Sequence, residues 1–134
     1  MKYNGIIESK LRIIEQKLED IESWHILSFN QIKESSLLQN AVERALQVST
    51  EVMIDISERI LALNKERPLA SAQDNIIRLQ DLGIISPRPE YSDMVKFRNF
   101  IVHRYEKIDL EIIYGILKNK LFLFREFIND IRKS

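Results

Sequence analysis

Apolar residues recur every three or four positions along most of the chain, the period of a helix with one buried stripe. From about Ile6 to Lys33 the stripe is Ile7, Leu11, Ile14, Leu18 and Ile21, continued by Trp24 or His25. Glu8, Lys10, Arg12, Glu15, Lys17, Glu19 and Asp20 fill the rest of that helix. A second stripe runs through Leu38, Val42, Ala45, Leu46, Ser49, Val52, Met53, Ile56, Ile60 and Leu63. It opens on Ser36-Leu37-Leu38-Gln39, which has the form of a capping box, and it closes before Pro68. Ala41, Ala45 and Ser49 put small side chains on one side of it, which leaves room for a close neighbour.

A shorter third helix follows, with Ser71 as its N-cap, Ile76, Ile77, Leu79 and Leu82 as its apolar positions and Gly83 as its C-terminal cap. Pro87 and Pro89 make the stretch from Ile84 to Glu90 a loop. A fourth helix is expected from Tyr91 or Ser92 to Tyr105, carrying Met94, Val95, Phe97, Ile101 and Val102. Asp109 then caps a last helix whose stripe is Leu110, Ile113, Leu117, Leu121, Phe124 and Ile128, with Arg132 and Lys133 suited to its negative end. About five helices with short links imply an all-α, up-and-down bundle forming one domain over residues 1–134.

Composition agrees with that reading and narrows the function. The chain of 134 residues has only three Gly and three Pro, too few breakers for a loop-rich fold. The 20 basic and 20 acidic residues balance, so no general nucleic-acid-binding coat is indicated, although a local patch remains open. With no Cys, disulfides and thiolate metal sites are excluded. The two His, at 25 and 103, are too far apart in sequence to suggest a metal site, and neither metal nor cofactor is expected. No apolar signal-peptide core follows Met1, and no apolar run approaches the roughly 20 residues of a membrane span. The expectation is a cytoplasmic protein without membrane contact.

The concentrated chemistry lies in Arg98-Asn99-Phe100-Ile101-Val102-His103-Arg104-Tyr105. Cleaving RNA without a metal requires a group that takes the proton of the 2′-hydroxyl and a cation for the charge that grows on the phosphate. Histidine titrates near neutrality and moves protons. Arginine offers a fixed fork of donors to phosphate oxygens. Asn99 can hold the imidazole or a phosphate, and it shares a helix face with His103. Tyr105 supplies a hydroxyl and a stacking face. Arg98 and His103 are five residues apart, about 140° around an ideal helix. They converge only if the helix loosens near His103 or if two copies of the segment face each other. Lys96, Arg104 and Arg88 could add RNA contacts. The plainer alternative is that such residues cap a helix end and line a solvated surface. Phe97 and Phe100, and Phe122, Phe124 and Phe127 on the last helix, exceed one stripe each, which favours cover by a partner surface.

The pattern Arg98-Asn99-x-x-x-His103-x-Tyr105 resembles the HepT-type branch of the HEPN superfamily, whose signature is Arg, four to six residues, then His. Glu43-Arg44-Ala45-Leu46-Gln47 is similar to that branch's second-helix pattern, as is the run from Leu82-Gly83-Ile84-Ile85 into Met94-Val95-Lys96-Phe97-Arg98-Asn99. The resemblance covers nearly the whole chain. It implies a HEPN-like homodimer with Arg98 and His103 of both copies lining a cleft at the interface. It implies a metal-independent RNA endonuclease, the toxin of a toxin–antitoxin pair, leaving a 2′,3′-cyclic phosphate. The implied partner is a small nucleotidyltransferase antitoxin of the MNT type that AMPylates Tyr105. On this reading Arg98 and His103 are catalytic, Asn99 supports them, and Lys96 and Arg104 touch RNA. Glu43 and Arg44, in that second-helix pattern, are candidates either for the cleft or for surface ion pairs; Asp55, a polar residue between Ile54 and Ile56, is a candidate either for a hydrogen bond within the bundle or for contact with the active segment. The alternative is an inactive helical module that only docks a nucleotidyltransferase or a nucleotide.

Overall fold

The computed structural model describes residues 5–67, 69–102 and 109–134, the side chains of 101 and 102 excepted. All its regular elements are helices: α1 (Gly5–Ser23), α2 (Phe29–Lys33), α3 (Ser36–Leu63), α4 (Ala72–Asp81), α5 (Glu90–Val102), α6 (Leu110–Asn119) and α7 (Leu121–Lys133). The all-α bundle is as expected, but two of the expected helices are each divided in two.

The first division follows Ser23. His25 lies beyond the end of α1 with a left-handed backbone, φ 49°, and is exposed rather than continuing the apolar stripe. Gln31 holds the break open: its Oε1 accepts the Ser28 N–H at 2.9 Å, and its Nε2 donates to the His25 carbonyl at 3.2 Å. The second division falls at Lys120. That position stands in the stripe between the buried Ile116 and the buried Leu123 and Phe124, where an apolar side chain would continue it. Lys120 instead sends its Nζ outward to Asp93 of α5, at 3.4 Å.

The caps refine the expected boundaries. Helix α3 is capped by Ser35, whose side chain accepts the Leu38 N–H at 3.1 Å. Gln39 donates back to the carbonyls of Ile32 and Lys33, so the box expected at Ser36 does not form. Ser71 caps α4 by accepting the Asp74 N–H, and Asp109 caps α6 by accepting that of Glu111, both as expected. Gly83 follows α4 at φ +73°, a conformation that glycine adopts without strain. Pro68 lies outside the described residues; α3 ends before it at Leu63, and Lys65 turns the chain at φ 60°.

Helix α3 is the axis of the molecule. It packs against α1, α2, α4, α5, α6 and α7, and it buries Val42, Ala45, Leu46, Met53, Ile54, Ile56, Ile60 and Leu61. The small residues Ala45 and Ser49 are buried, as close helix approach requires. Helix α7 closes the core with Leu123, Phe124, Phe127, Ile128 and Ile131. Phe124 and Phe127, expected to exceed one stripe, are both inside; only Phe122 of that trio is exposed. Among the described residues no helix is long and apolar enough to cross a membrane.

An ion cluster fastens α7 to α1. Arg132 Nη2 donates to Glu8 at 2.7 Å and to Glu15 at 2.6 Å, and its Nη1 donates to Glu15 at 3.0 Å. These hydrogen bonds hold both carboxyls below their ordinary value of 4.5, against burial, which works the other way. A carboxyl lowered in the folded state adds stability above its unfolded pKa and loses it as pH falls through the folded one. The melting temperature is therefore expected to fall on acidification from about pH 5 to about pH 3, more steeply in wild type than in Arg132→Met. The partly exposed setting keeps the difference modest. Equal slopes in a calorimetric pH series would remove this role for the cluster.

Candidate functional site

Helix α5 starts directly after Pro89, with Glu90 and Asp93 in its first turn, where negative charge suits the positive helix end. Tyr91, Met94 and Val95 form its buried stripe. The Tyr91 ring meets Phe127 edge-on at 6.2 Å, and its hydroxyl donates to the Leu123 carbonyl at 3.3 Å. Burial, then the nearby Glu126 and Asp130 carboxylates, push the Tyr91 phenol well up, so this ring is a neutral anchor of α5. The next position of the stripe, three after Val95 and four after Met94, is Arg98.

A guanidinium thus stands where an apolar side chain would complete the core. Arg98 is half-buried, and its Nε is buried without a hydrogen-bond partner among the described residues. An unpaired buried donor costs about 1–3 kcal/mol. Such a group is out of place in a purely structural position and in place where an acceptor arrives from outside. Arg98 enters a cleft of about 210 Å³ whose other wall is a face of α3: Glu51, Ile54, Asp55 and Glu58.

Asp55 is already occupied. Lys10 Nζ lies 2.6 Å from it, and Arg59 Nε donates to both of its oxygens at 3.2 and 3.3 Å. Burial works to raise its pKa, but the hydrogen bonds from Lys10 and Arg59 prevail and the carboxyl is held low. Asp55 therefore both bonds within the bundle and faces the active segment. Glu43 and Arg44 do not line this cleft; Glu43 is half-buried and Arg44 exposed. The carboxylates that do line it beside Asp55 are Glu51 and Glu58, about two and four turns further along α3. The signal for these lay in the sequence as carboxylates at positions 51, 55 and 58, a helical spacing.

Of the remaining expected site residues, Asn99 and Lys96 are exposed on α5. His103, Arg104 and Tyr105 lie outside the described residues. Arg88 is not a free contact for RNA: its Nε donates to both oxygens of Glu126, at 3.1 and 3.2 Å, and its guanidinium covers the Phe122 ring at 5.6 Å. Away from the Arg98 face of α5, α5 and α6 enclose an apolar groove of about 490 Å³ with Phe97, Phe100, Ile112 and Ile116 on its walls and Lys96 at its rim. Phe100 and Ile112 are each about half exposed there, at 48% and 52%. Among the described residues no group of acidic and histidine side chains could hold a metal ion.

The chain is similar to known proteins over almost all of its length. It is 28% identical to the mRNA nuclease HepT of Shewanella oneidensis, across 96% of this chain and 98% of that one. It is 26% identical to the tRNA nuclease HepT of Aphanizomenon flos-aquae, across 94% and 87%. Its fold superposes, with a TM-score of 0.85 and 27% identity over 98% of this chain and all of the other, on a tri-AMPylated HEPN toxin from Shewanella oneidensis in complex with an MNT antitoxin. Residues 14–131, from the middle of α1 almost to the end of α7, match the model of the ribonuclease HepT-like family. The half-buried arginine of α5, set in a cleft within a bundle of this shape, is thus a feature of a chain that belongs to the ribonuclease HepT-like family.

Proposed function

We propose that this protein is a metal-independent RNA endonuclease and the toxin of a toxin–antitoxin pair. The observation that carries the reading is the family match over residues 14–131 in a chain that keeps Arg98, Asn99, His103 and Tyr105 in the family's order. The two nuclease relatives are named for different RNAs, mRNA and tRNA, so what carries over is RNA as the substrate class.

The chemistry follows from the residue types. His103 takes the proton from a 2′-hydroxyl; the 2′-oxygen then bonds to the adjacent phosphorus while the bond to the 5′-oxygen breaks. The leaving oxygen takes a proton from a second acid, and the products are a 2′,3′-cyclic phosphate and a 5′-hydroxyl. The Arg98 fork neutralises the charge that builds on the phosphate. Asn99 orients the site, and exposed Lys96 together with Arg104 meets the RNA backbone. A homodimer supplies the second Arg98–His103 set, which meets the need for convergence set by their spacing on a helix.

The control element is Tyr105. A nucleotidyltransferase antitoxin of the MNT type moves AMP from ATP onto its hydroxyl: the tyrosyl oxygen bonds to the α-phosphorus and pyrophosphate leaves. A bulky anion two residues from His103 then occupies the place of the RNA phosphate. The AMPylated state of the related HEPN toxin supports this assignment.

Expression of the chain alone is expected to arrest growth, and co-expression of its nucleotidyltransferase to relieve it. The purified protein is expected to cleave RNA undiminished in EDTA, with cyclic phosphate ends. Intact mass after incubation with antitoxin and ATP is expected to rise by whole AMP units in wild type and not in Tyr105→Phe. A harmless protein that leaves RNA intact sinks the nuclease reading; AMP mapped to another residue sinks the assignment of Tyr105.

A further inference from the structure

The carboxylates of α3 that face Arg98 stand in tension with a phosphate substrate, because they repel it. Their use must therefore lie with the arginine. At about 100° per residue, Glu51 and Glu58 lie within about 20° of each other on α3, with Ile54 on one side and Asp55 on the other. Lys10 of α1 holds Asp55, so Asp55 marks the edge of this face nearest α1, and Glu51 and Glu58 lie on the side away from it. Glu51 already accepts the side-chain amide of Gln47 at 3.3 Å. Glu58 is exposed, and its side chain forms no hydrogen bond or ion pair with any described residue. Among the described residues, this cleft therefore contains a carboxylate without a partner and a guanidinium whose buried Nε–H has no acceptor.

We infer that Glu58 is a positioning residue for Arg98: it accepts the Nε–H, directly or through one water, and so aims the two terminal amino groups at the substrate phosphate. This rests on the nuclease reading above for its catalytic consequence, but not for the contact itself. A guanidinium has one edge formed by its two terminal nitrogens and another that includes Nε. Fixing the second edge on α3 leaves the first free for bidentate phosphate binding. The carboxylate also keeps phosphate away from the wrong edge. Glu58 touches no reacting atom in this scheme; it acts through Arg98 alone.

The contact and its consequence are measured separately. The Arg98 Nε–H resonance is identified in ¹⁵N-labelled full-length protein by its loss in Arg98→Lys. Its shift and its exchange with water are then compared in wild type and Glu58→Gln. The same proteins, with Glu58→Asp, are assayed for kcat and KM on an RNA oligonucleotide. Glu58→Gln is expected to move the resonance, quicken its exchange and lower kcat by about tenfold to a hundredfold, the scale of a misplaced catalytic group. KM is expected to stay within about twofold, since the loss falls on the transition state. Glu58→Asp is expected to recover part of kcat, and the melting temperature to stay unchanged. An active wild type whose kcat survives Glu58→Gln, or a resonance that does not move, overturns the inference. A wild type that leaves RNA intact defeats the nuclease reading instead, and the resonance alone then decides the role of Glu58.

Discussion

Arg98→Leu is expected to yield a protein that melts higher than wild type and no longer cleaves RNA. The stability gain follows from position: residue 98 continues the stripe of Tyr91, Met94 and Val95, and its Nε is buried with no hydrogen bond to any described residue. Replacing the guanidinium with an apolar side chain removes the cost of burying this donor, about 1–3 kcal/mol when it is unsatisfied, which one exposed carboxylate such as Glu58 offsets only in part. The activity loss follows from the proposed role, because deleting one transition-state donor costs about 10²–10³ in rate. Arg98→Lys is expected to recover little, since an ammonium cannot reproduce the two-toothed grip of a guanidinium. His103→Ala is expected to lower the rate by about 10²–10⁴, the usual contribution of a proton-transfer group. Combining it with Arg98→Leu should add little, because groups that act as a unit lose their effect together. Thermal melts and single-turnover cleavage on the same preparations check both halves. A variant at 98 that cleaves RNA at the wild-type rate removes the arginine from the chemistry, and one that melts lower removes the account of its burial.

Phe127→Ala is expected to cost about 3–5 kcal/mol, the range for emptying a fully buried aromatic site. That is a large part of the about 5–15 kcal/mol by which a domain is usually stable. The ring is completely buried and lies between the α7 stripe and the edge of Tyr91. Its loss therefore loosens α5 from below, and cleavage should weaken along with stability. Tyr91→Phe, which keeps the ring and removes only the hydrogen bond to Leu123, should cost about 1 kcal/mol. Urea midpoints give both numbers; a Phe127→Ala cost near that of Tyr91→Phe contradicts this view of how α5 is anchored.

The bundle was legible because burial on a helix leaves a period. Ile7, Leu11, Ile14, Leu18 and Ile21 read as a stripe and are one, and the caps at Ser71, Gly83 and Asp109 stand where turn chemistry places them. The two interruptions were harder to read because neither carries a glycine or proline. The break after Ser23 depends on Gln31 capturing backbone groups upstream, and the break at Lys120 depends on a single charged residue within an apolar stripe. Ser28 and Gln31 do have the spacing of a capping box, a signal masked by the strong periodicity around it. The site divides in the same way. Arg98 could be picked out from its motif, but its burial could not, since that depends on the phase of α5 against α3. Glu58 was hidden for the opposite reason: an exposed glutamate on a long helix looks like ordinary solvated surface until the cleft beside it is seen.

The Tyr91–Phe127 contact also has a consequence for the order in which the molecule becomes competent. Helix α5, which bears Arg98, is held by residues of α7 that follow it in the chain. A nascent chain that has released α5 but not α7 already contains the arginine, yet lacks the ring and the carbonyl that fix its helix, as well as the Arg132 cluster that ties α7 back onto α1. Contacts that span so much of the chain form late, once the intervening loop has closed. A protein whose proposed activity is destructive thus gains its geometry only once α7 has followed α5 and packed against it, when an antitoxin can meet a finished fold.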